Sequence, residues 1–370
     1  MATTEQILSG KNLTGLIQGV KSGLPLKIPP AFLTPTRSVK GNVATYRKVE
    51  GAREVAKIVA YGNAAQVRAQ KGVTEVPVNL LHTFESINIS PSKLINLLTS
   101  DGGADQKLGA DEVTRQVTEF KQAFVNLRIA ATMQALLQFH IYANVDGNLL
   151  PSSSNAVVNV DYGVAASQIN NGAAGIDPLV TSTNIILASW ATAGTPIITQ
   201  LRNLKQAAMQ FSGYPLAYAF YGNSIPGYIA ANTEASKYLA GNQELSRQYL
   251  ESGEVPAGFM GMTWIPIGDA FYVDQNGAVQ TLLAVDNVVF TPAPSLDWWE
   301  FIEGTYPVPS NFGPTAVDAS ALIQGMSEVA GMFSFAGGTL NPPSVQMFAG
   351  DTFLPVLKVP KAVFRVDTAW

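Results

Sequence analysis

The chain carries few residues able to do covalent or metal chemistry. It has no cysteine, which excludes disulfides, thiolate catalysis and cysteine-ligated zinc or iron–sulfur centres. Its two histidines, His82 and His140, do not have the spacing of a histidine-pair metal motif, and neither lies near a G-x-S-x-G nucleophile elbow. Both read as structural residues. Asp101, Asp105, Asp111 and Glu112 form a carboxylate cluster with the charge to attract calcium but not the spacing of a calcium loop. Asp111 and Glu112 are equally well explained by a helix N-terminus, where acidic side chains meet the positive end of the dipole. Gly10-Lys11 lacks the upstream glycine of a phosphate loop, and Gly102-Gly103 is not flanked as a dinucleotide fingerprint would be. The segment closest to an enzyme site is DWWEFIE, Asp297 to Glu303, because glycoside hydrolysis needs paired carboxylates. The favoured reading is an aromatic core patch with surface acids. Trp298 and Trp299 sit among acids, which also disfavours stacking on nucleic-acid bases.

What remains is the placement of charge. Between Arg37 and Glu75 there are eight basic residues (Arg37, Lys40, Arg47, Lys48, Arg53, Lys57, Arg68 and Lys71) and three acidic ones (Glu50, Glu54 and Glu75). That segment is +5 within a chain of net charge −4, so the rest is −9. A basic arm on an acidic body can lie over the next copy of the chain, with charge guiding register and encounter. Arg47, Lys48, Arg53, Lys57, Arg68 and Lys71 are the candidate subunit-interface residues. The alternative is a solvated basic hairpin. Hydrophobic residues are 47% of the chain and charged ones 14%, against about 25% in typical globular proteins. No apolar run approaches the roughly 18 residues of a membrane helix, so large subunit interfaces explain the low charge better. Net charge gives no support for general nucleic-acid binding. The N-terminal text has no basic n-region and no apolar h-region, so no secretory signal is expected.

These residues need elements to hold them. From Asp111 to Ala143 neither Gly nor Pro occurs over 33 residues, and Val113, Val117, Phe120, Phe124, Leu127 and Ala131 recur at spacings of four and three. The pattern predicts an amphipathic spine helix of roughly 50 Å at about 1.5 Å per residue. Its stripe suits packing on a sheet better than a coiled-coil seam. Residues 1–35 read as an extended arm with one short helix near Thr14 to Ser22, interrupted by Pro25, Pro29, Pro30 and Pro35. VATYRKV, AKIVAYG and TEVPVNLLHTFESINIS read as strands, with NAAQVRAQKG as a hairpin tip. A short helix follows, capped by Ser90 with Pro91 at its first position. Beyond the spine come a turn at Asp146-Gly147 and a strand over Asn155 to Tyr162.

A second, α+β lobe begins near Val180. It has a helix from Ile198 to Phe211, a buried strand from Leu216 to Tyr221, and a helix capped by Ser224 that runs through Ala235. A short helix over Gln243 to Ser252 follows. Strands at Thr263–Ile267, Ala270–Asp274, Val279–Ala284 and Val288–Thr291 complete a central sheet. VFRV, Val363 to Val366, is expected to return as a strand beside the spine helix.

Taken in order, these parts resemble the major capsid protein of tailed bacteriophages, specifically the protein E family, which has the Hong Kong 97-type fold. The resemblance covers nearly the whole chain. Its text includes GFMGMTWIPIGDAFYVDQNGAV at Gly258 to Val279, LLAVDNVVFTPAP at Leu282 to Pro294, and DWWEFIEGTYPVP after it. It implies an α+β fold with an N-terminal arm (1–35), an extended β-hairpin loop (36–90) and a peripheral domain (91–184) holding the spine helix (111–143). An α+β axial domain (185–300) and the return strands of the peripheral domain (301–370) complete it. The function implied is self-assembly of a major capsid protein into an icosahedral shell around double-stranded DNA, with no catalytic residue and no cofactor. Implied partners are further copies in hexamers and pentamers, a portal, a decoration protein, and DNA packaged without sequence-specific binding. The implied location is the virion, assembled in the host cytoplasm, with no membrane involved. Some relatives carry an N-terminal scaffolding segment; residues 1–35 are too short for one, which implies a separate scaffolding protein or none. Some relatives cross-link through lysine and asparagine; Lys48, Lys57 and Lys71 lie in the arm, but no acceptor or activating carboxylate is identified. The alternatives are an encapsulin-like nanocompartment of the same fold and, from another class, a carbohydrate-active hydrolase.

Overall fold

The structure, a computed structural model, describes residues 9–19, 28–49, 73–89, 104–144, 149–150, 156–170, 176, 185–186, 188–267, 271–273, 279–309, 326–340 and 343–369. Helix α1 (Gly10–Gly19) is followed by strands β1 (Arg37–Lys40), β2 (Val43–Val49), β3 (Val73–Asn79) and β4 (Leu81–Ile89), and then by the long helix α2 (Ala104–Met133). The stripe on α2 behaves as its spacing predicts. Val113, Val117, Phe120 and Phe124 are buried, packed with Leu13 and Ile17 of α1 and with Met347 and Ala349 of a sheet.

The bounds of α2 differ from the expected spine of 111–143 at both ends. The helix begins at Ala104 and runs through Gly109, a residue that costs a helix interior only about 1 kcal/mol. At the other end Gln134–Gln138 widens into one π turn, and Phe139 turns left-handed at φ 64°. His140–Ala143 then forms strand β5, paired with β6 (Val158–Asp161). No Gly or Pro marks this stop. Burial of Phe139, Ile141 and Ala143, together with the β5–β6 ladder, overrides a sequence that is locally compatible with helix.

The second lobe begins after β7 (Ile169–Asn170) with α3 (Ile197–Ser212), β8 (Leu216–Tyr221), α4 (Ile225–Ala231), α5 (Thr233–Ala240) and α6 (Gln243–Ser252). Then come β9 (Thr263–Pro266), the β10 (Phe271–Val273) and β11 (Val279–Thr281) pair, and β12 (Asn287–Pro292). The helix expected from Ser224 through Ala235 is two helices. Ser224 makes no side-chain cap, and Asn232 breaks the run in extended conformation. Asn232 accepts from the N–H groups of Glu234 and Ala235 at 3.0 Å each, and donates to the carbonyls of Ala193 and Thr195 at 3.1 and 2.7 Å. A fully used, buried amide at this point starts a new helix more favourably than it would continue the old one.

Strands β13 (Trp299–Pro309), β14 (Met326–Ala330), β15 (Phe333–Leu340) and β16 (Pro343–Leu357) build the sheet under α2. β16 is antiparallel to β4, β15 and β13, while β1 lies parallel to β13. Gly350 of β16 sits where Phe84 and Phe333 close over the sheet, and a Cβ there would meet the Phe333 ring at 2.4 Å. The last strand, β17 (Phe364–Asp367), departs from expectation. It does not return beside the spine helix but joins the second lobe, antiparallel to β12 and parallel to β7, in the order β7-β17-β12-β8-β9. Phe364 and Val366 point into the core that also holds Leu201, Tyr221 and Phe290, so the apolar alternation of VFRV fits that sheet.

Candidate functional site

The basic hairpin is anchored before it is exposed. In β2, Ala44 and Tyr46 are buried in the core while Thr45 and Arg47 face outward, the period-two alternation of a half-buried strand. Arg47 lies opposite Glu75 of β3, with Nε 3.1 Å from Oε1. Lys48 is half-buried, its Nζ beside Gly163. Arg37 donates from Nε to Glu300 at 2.7 Å and from Nη2 to the Thr45 carbonyl, and Lys40 reaches Glu328 at 3.5 Å. Part of the +5 is therefore matched within the chain. Arg53, Lys57, Arg68 and Lys71 lie outside the described residues, as do the AKIVAYG strand, the hairpin tip and the Ser90-capped helix.

The DWWEFIE segment is core. Trp298 and Trp299 are fully buried, donating through Nε1 to the carbonyls of Ala293 and Phe32 at 2.7 and 3.1 Å. Phe32 meets both indoles edge-on at 6.0 and 5.7 Å. Glu300 is held by Arg37 and Glu303 by Arg128. With neither indole presenting a face, the hydrolase reading loses the site that motivated it.

The histidines have structural surroundings. His82 Nδ1 lies 2.7 Å from Thr352 Oγ1, and its ring stacks on Tyr306 at 5.3 Å. His140 stacks on Tyr142 at 4.1 Å, and its buried Nε2 has no partner among the described residues. Burial pushes both imidazoles below their ordinary pKa, against the weaker pull of Asp351 on His82 and, on His140, of Gln138 and Asp161. No group of three or more metal-ligating side chains occurs among the described residues. Asp101 lies outside them, as does the Asp105 side chain. Asp111 and Glu112 fall in the body of α2, since the helix starts at Ala104, so the helix-terminus explanation does not hold. Glu112 instead pairs with Arg115 at 2.7 Å and accepts from Gln116 at 3.0 Å.

The most strongly built polar cluster lies between α2 and the sheet. Arg128 grips Asp351 with a two-pronged bond, Nε–Oδ2 and Nη2–Oδ1 both 2.6 Å, and places Nη2 2.8 Å from Glu303. Its Cζ lies 5.3 Å from the ring centres of both Phe301 and Phe353. Burial opposes the Arg128 charge, but the Asp351 and Glu303 carboxylates outweigh it and raise the pKa; burial likewise raises Asp351. Gly331 at φ 68° leaves room for Glu303, whose Oε1 would sit 2.4 Å from a Cβ there. This cluster has a sequence signal that composition and motif matching miss. Arg128 is four residues from Phe124 on the apolar face, and Asp351 alternates with Ala349 and Phe353 on the buried face of β16. Charges on two apolar faces of one core require each other.

Comparison with known proteins decides what this arrangement belongs to. The family model for phage major capsid protein E matches residues 11–366. The chain belongs to that family. A prophage protein of Escherichia coli CFT073 assigned as its capsid protein is similar in structure, with TM-score 0.55 and 13% identity over 98% of this chain and 99% of that one. A phage-related protein of Bordetella bronchiseptica RB50 gives TM-score 0.48 and 12% identity, with 98% of each chain covered. The SrpI encapsulin of Synechococcus elongatus PCC 7942 gives TM-score 0.40 and 12% identity over 96% and 94%. No curated protein matches the sequence. As a phage major capsid protein of the E family with the Hong Kong 97-type fold, the chain is a shell-forming structural protein and a virion component that assembles with copies of itself. Among the described residues, no helix is long and apolar enough to cross a membrane.

Proposed function

We propose that this capsid protein builds an icosahedral head of hexamers and pentamers around packaged double-stranded DNA. The observation that carries the reading is the family match over residues 11–366. Residues 1–35 serve as the arm, 36–90 as the extended loop, 91–184 and 301–370 mainly as the peripheral domain, and 185–300 as the axial domain at the capsomer centre. Heterologous contacts repeated about five- and six-fold positions close rings, and the rings close a shell. Arg47, Lys48, Arg53, Lys57, Arg68 and Lys71 lie over an acidic neighbour, and many weak contacts per subunit together hold the shell. A separate scaffolding protein, a portal and a decoration protein complete the assembly in the host cytoplasm.

Electron microscopy of the high-molecular-weight material, with its nucleic-acid content measured, tests this. Uniform polyhedral particles containing DNA are the expected result. Protein-only shells loaded with enzyme would replace it with an encapsulin-like compartment. For the arm, reversing charge at Arg47, Arg53 and Lys57 together should abolish or strongly slow shell formation; unchanged assembly would remove those residues from the interface.

A further inference from the structure

Among the described residues, every open edge of the two larger sheets but one is blunted. In the five-stranded sheet β7 is two residues long, and β9 is four and ends in Pro266. In the six-stranded sheet β1 is four residues long with Arg37 and Lys40, and β14 is five with Glu328. β15 is capped by α1, whose Thr14 hydroxyl takes both backbone groups of Ser334. Shortness, charge, proline and helix cover are the devices that stop an edge from pairing with another chain. β4 is different. It runs nine residues in unbroken register with β16, holds no Pro, Lys or Arg, and among the described residues no strand pairs with its other side. Its one acid, Glu85, alternates with Phe84 and so lies on the opposite face.

Beside that edge, the sheet face turned away from α2 is aromatic and uncharged. Phe84, 44% exposed, stacks on Phe348 at 5.6 Å and 8°, Phe348 on Phe335 at 5.1 Å and 21°, and Tyr306 on Phe333 at 4.5 Å and 1°. The outward positions around them, Ser86, Asn88 and Gln346 among them, hold no Lys, Arg, Asp or Glu. Rings this close to parallel spend their faces on one another, which leaves no platform for a sugar or a base, and without cations nothing holds a phosphate backbone. Aromatic enrichment with charge depletion is the composition of a protein–protein interface core.

We infer that β4 pairs antiparallel with β4 of a second copy about a two-fold axis, with Phe84 opposite Phe84. An uncharged face meets its own copy without repulsion, and a two-fold perpendicular to the sheet sets the two edges antiparallel. Centring the pair on Phe84 puts Glu85 opposite Thr83 of the second copy, whereas centring it on Glu85 would oppose like charges. The axis rests on the shell reading, because a closed icosahedral shell supplies two-folds between capsomers.

The chain has no cysteine, so one introduced thiol reports one contact. Phe84→Cys should give a disulfide-linked dimer on mild oxidation, since directly opposed residues of an antiparallel pair bring their Cβ atoms close to disulfide reach. Asn88→Cys, further along the strand from the axis, should stay monomeric; equal dimer yields from both variants would mean random collision and overturn the pairing. Amide exchange on the unaltered chain needs no variant to fold. The free-edge amides of β4 should exchange at least about 10-fold more slowly in assembled particles than in dissociated subunits. Particle formation is scored separately, by electron microscopy. Particles with unprotected β4 amides and no Phe84→Cys dimer overturn the pairing and leave the shell reading standing. Protected amides without the dimer give the edge to a different strand and overturn the pairing equally. Dimers from subunits that never form particles uphold the pairing and remove the shell.

Discussion

Arg128 shows why one buried charge can matter more than a row of exposed ones. Removing the guanidinium leaves Asp351 and Glu303 facing each other without a counter-charge in a site where Asp351 is fully buried. Arg128→Met should therefore cost about 3–5 kcal/mol, measured by urea unfolding of dissociated subunits. Replacing the whole set, Arg128→Met with Asp351→Leu and Glu303→Gln, should recover most of that loss, because no orphaned charge remains. If the triple variant were no more stable than the single one, the ion cluster itself would be the source of stability. The two histidines act through protons. Both have folded pKa values lowered by burial, while the unfolded chain titrates near 6.5. Their contribution is thus complete above about pH 6.5 and is lost as pH falls from there through the lowered folded values. Subunit stability should decline between pH 7 and pH 5.5, and His82→Asn with His140→Asn should flatten that slope. The Arg128 cluster was legible only as charges on apolar faces, and the histidine effect was not visible in the sequence at all. His82 and His140 look inert there because burial, not a neighbouring motif, sets their behaviour.

At the scale of elements, what was legible followed from periodicity and what was not followed from pairing. The α2 stripe, β2, β8 and α6 were readable because apolar spacing and turn residues lie within each segment. The fate of β17 was not, because VFRV is equally suited to either sheet and only β12 and β7 decide the matter. The stop at Phe139 was hidden for the same reason. Helix α1 shows how such tertiary choices are enforced. Thr14 donates from Oγ1 to the Ser334 carbonyl at 2.9 Å and accepts from the Ser334 N–H at 3.2 Å, both in a buried setting. Gln18 donates to the Met332 carbonyl at 3.1 Å, and Leu13 and Ile17 fill the gap between α2 and β15. Thr14→Val keeps the shape but strands both Ser334 groups, and should cost about 1–3 kcal/mol. Ile17→Asp would place a charge against Val117 and Phe120, so limited proteolysis should cut that variant near its N-terminus while sparing the wild type. Equal resistance would mean that α1 is held by something other than this apolar seam.

For the whole molecule, the question is whether the basic hairpin acts as a field or as a set of contacts. The hairpin's net charge argues for a field, since attraction between oppositely charged surfaces speeds encounter and fades as salt shortens its range from about 10 Å at 0.1 M to about 3 Å at 1 M. The pairing of Arg47 with Glu75 argues that its local charge is already half-used at home. Two variants separate these. Arg47→Glu alone changes the hairpin by two charges and sets two acids opposite each other on β2 and β3; Arg47→Glu with Glu75→Arg restores both the pair and the net charge. If the field governs assembly, light scattering should show the single variant assembling at least several-fold more slowly at 0.1 M salt. The swapped variant should match the wild type, and at 1 M salt all three should converge at a slow rate. If Arg47 instead makes a specific contact on the neighbouring subunit, the swap should remain as defective as the single change, because the guanidinium has moved to the other strand. The exposure of both partners favours the first outcome: a pair this solvated is worth under about 1 kcal/mol, so little binds Arg47 to one geometry, while its charge acts at a distance in either place.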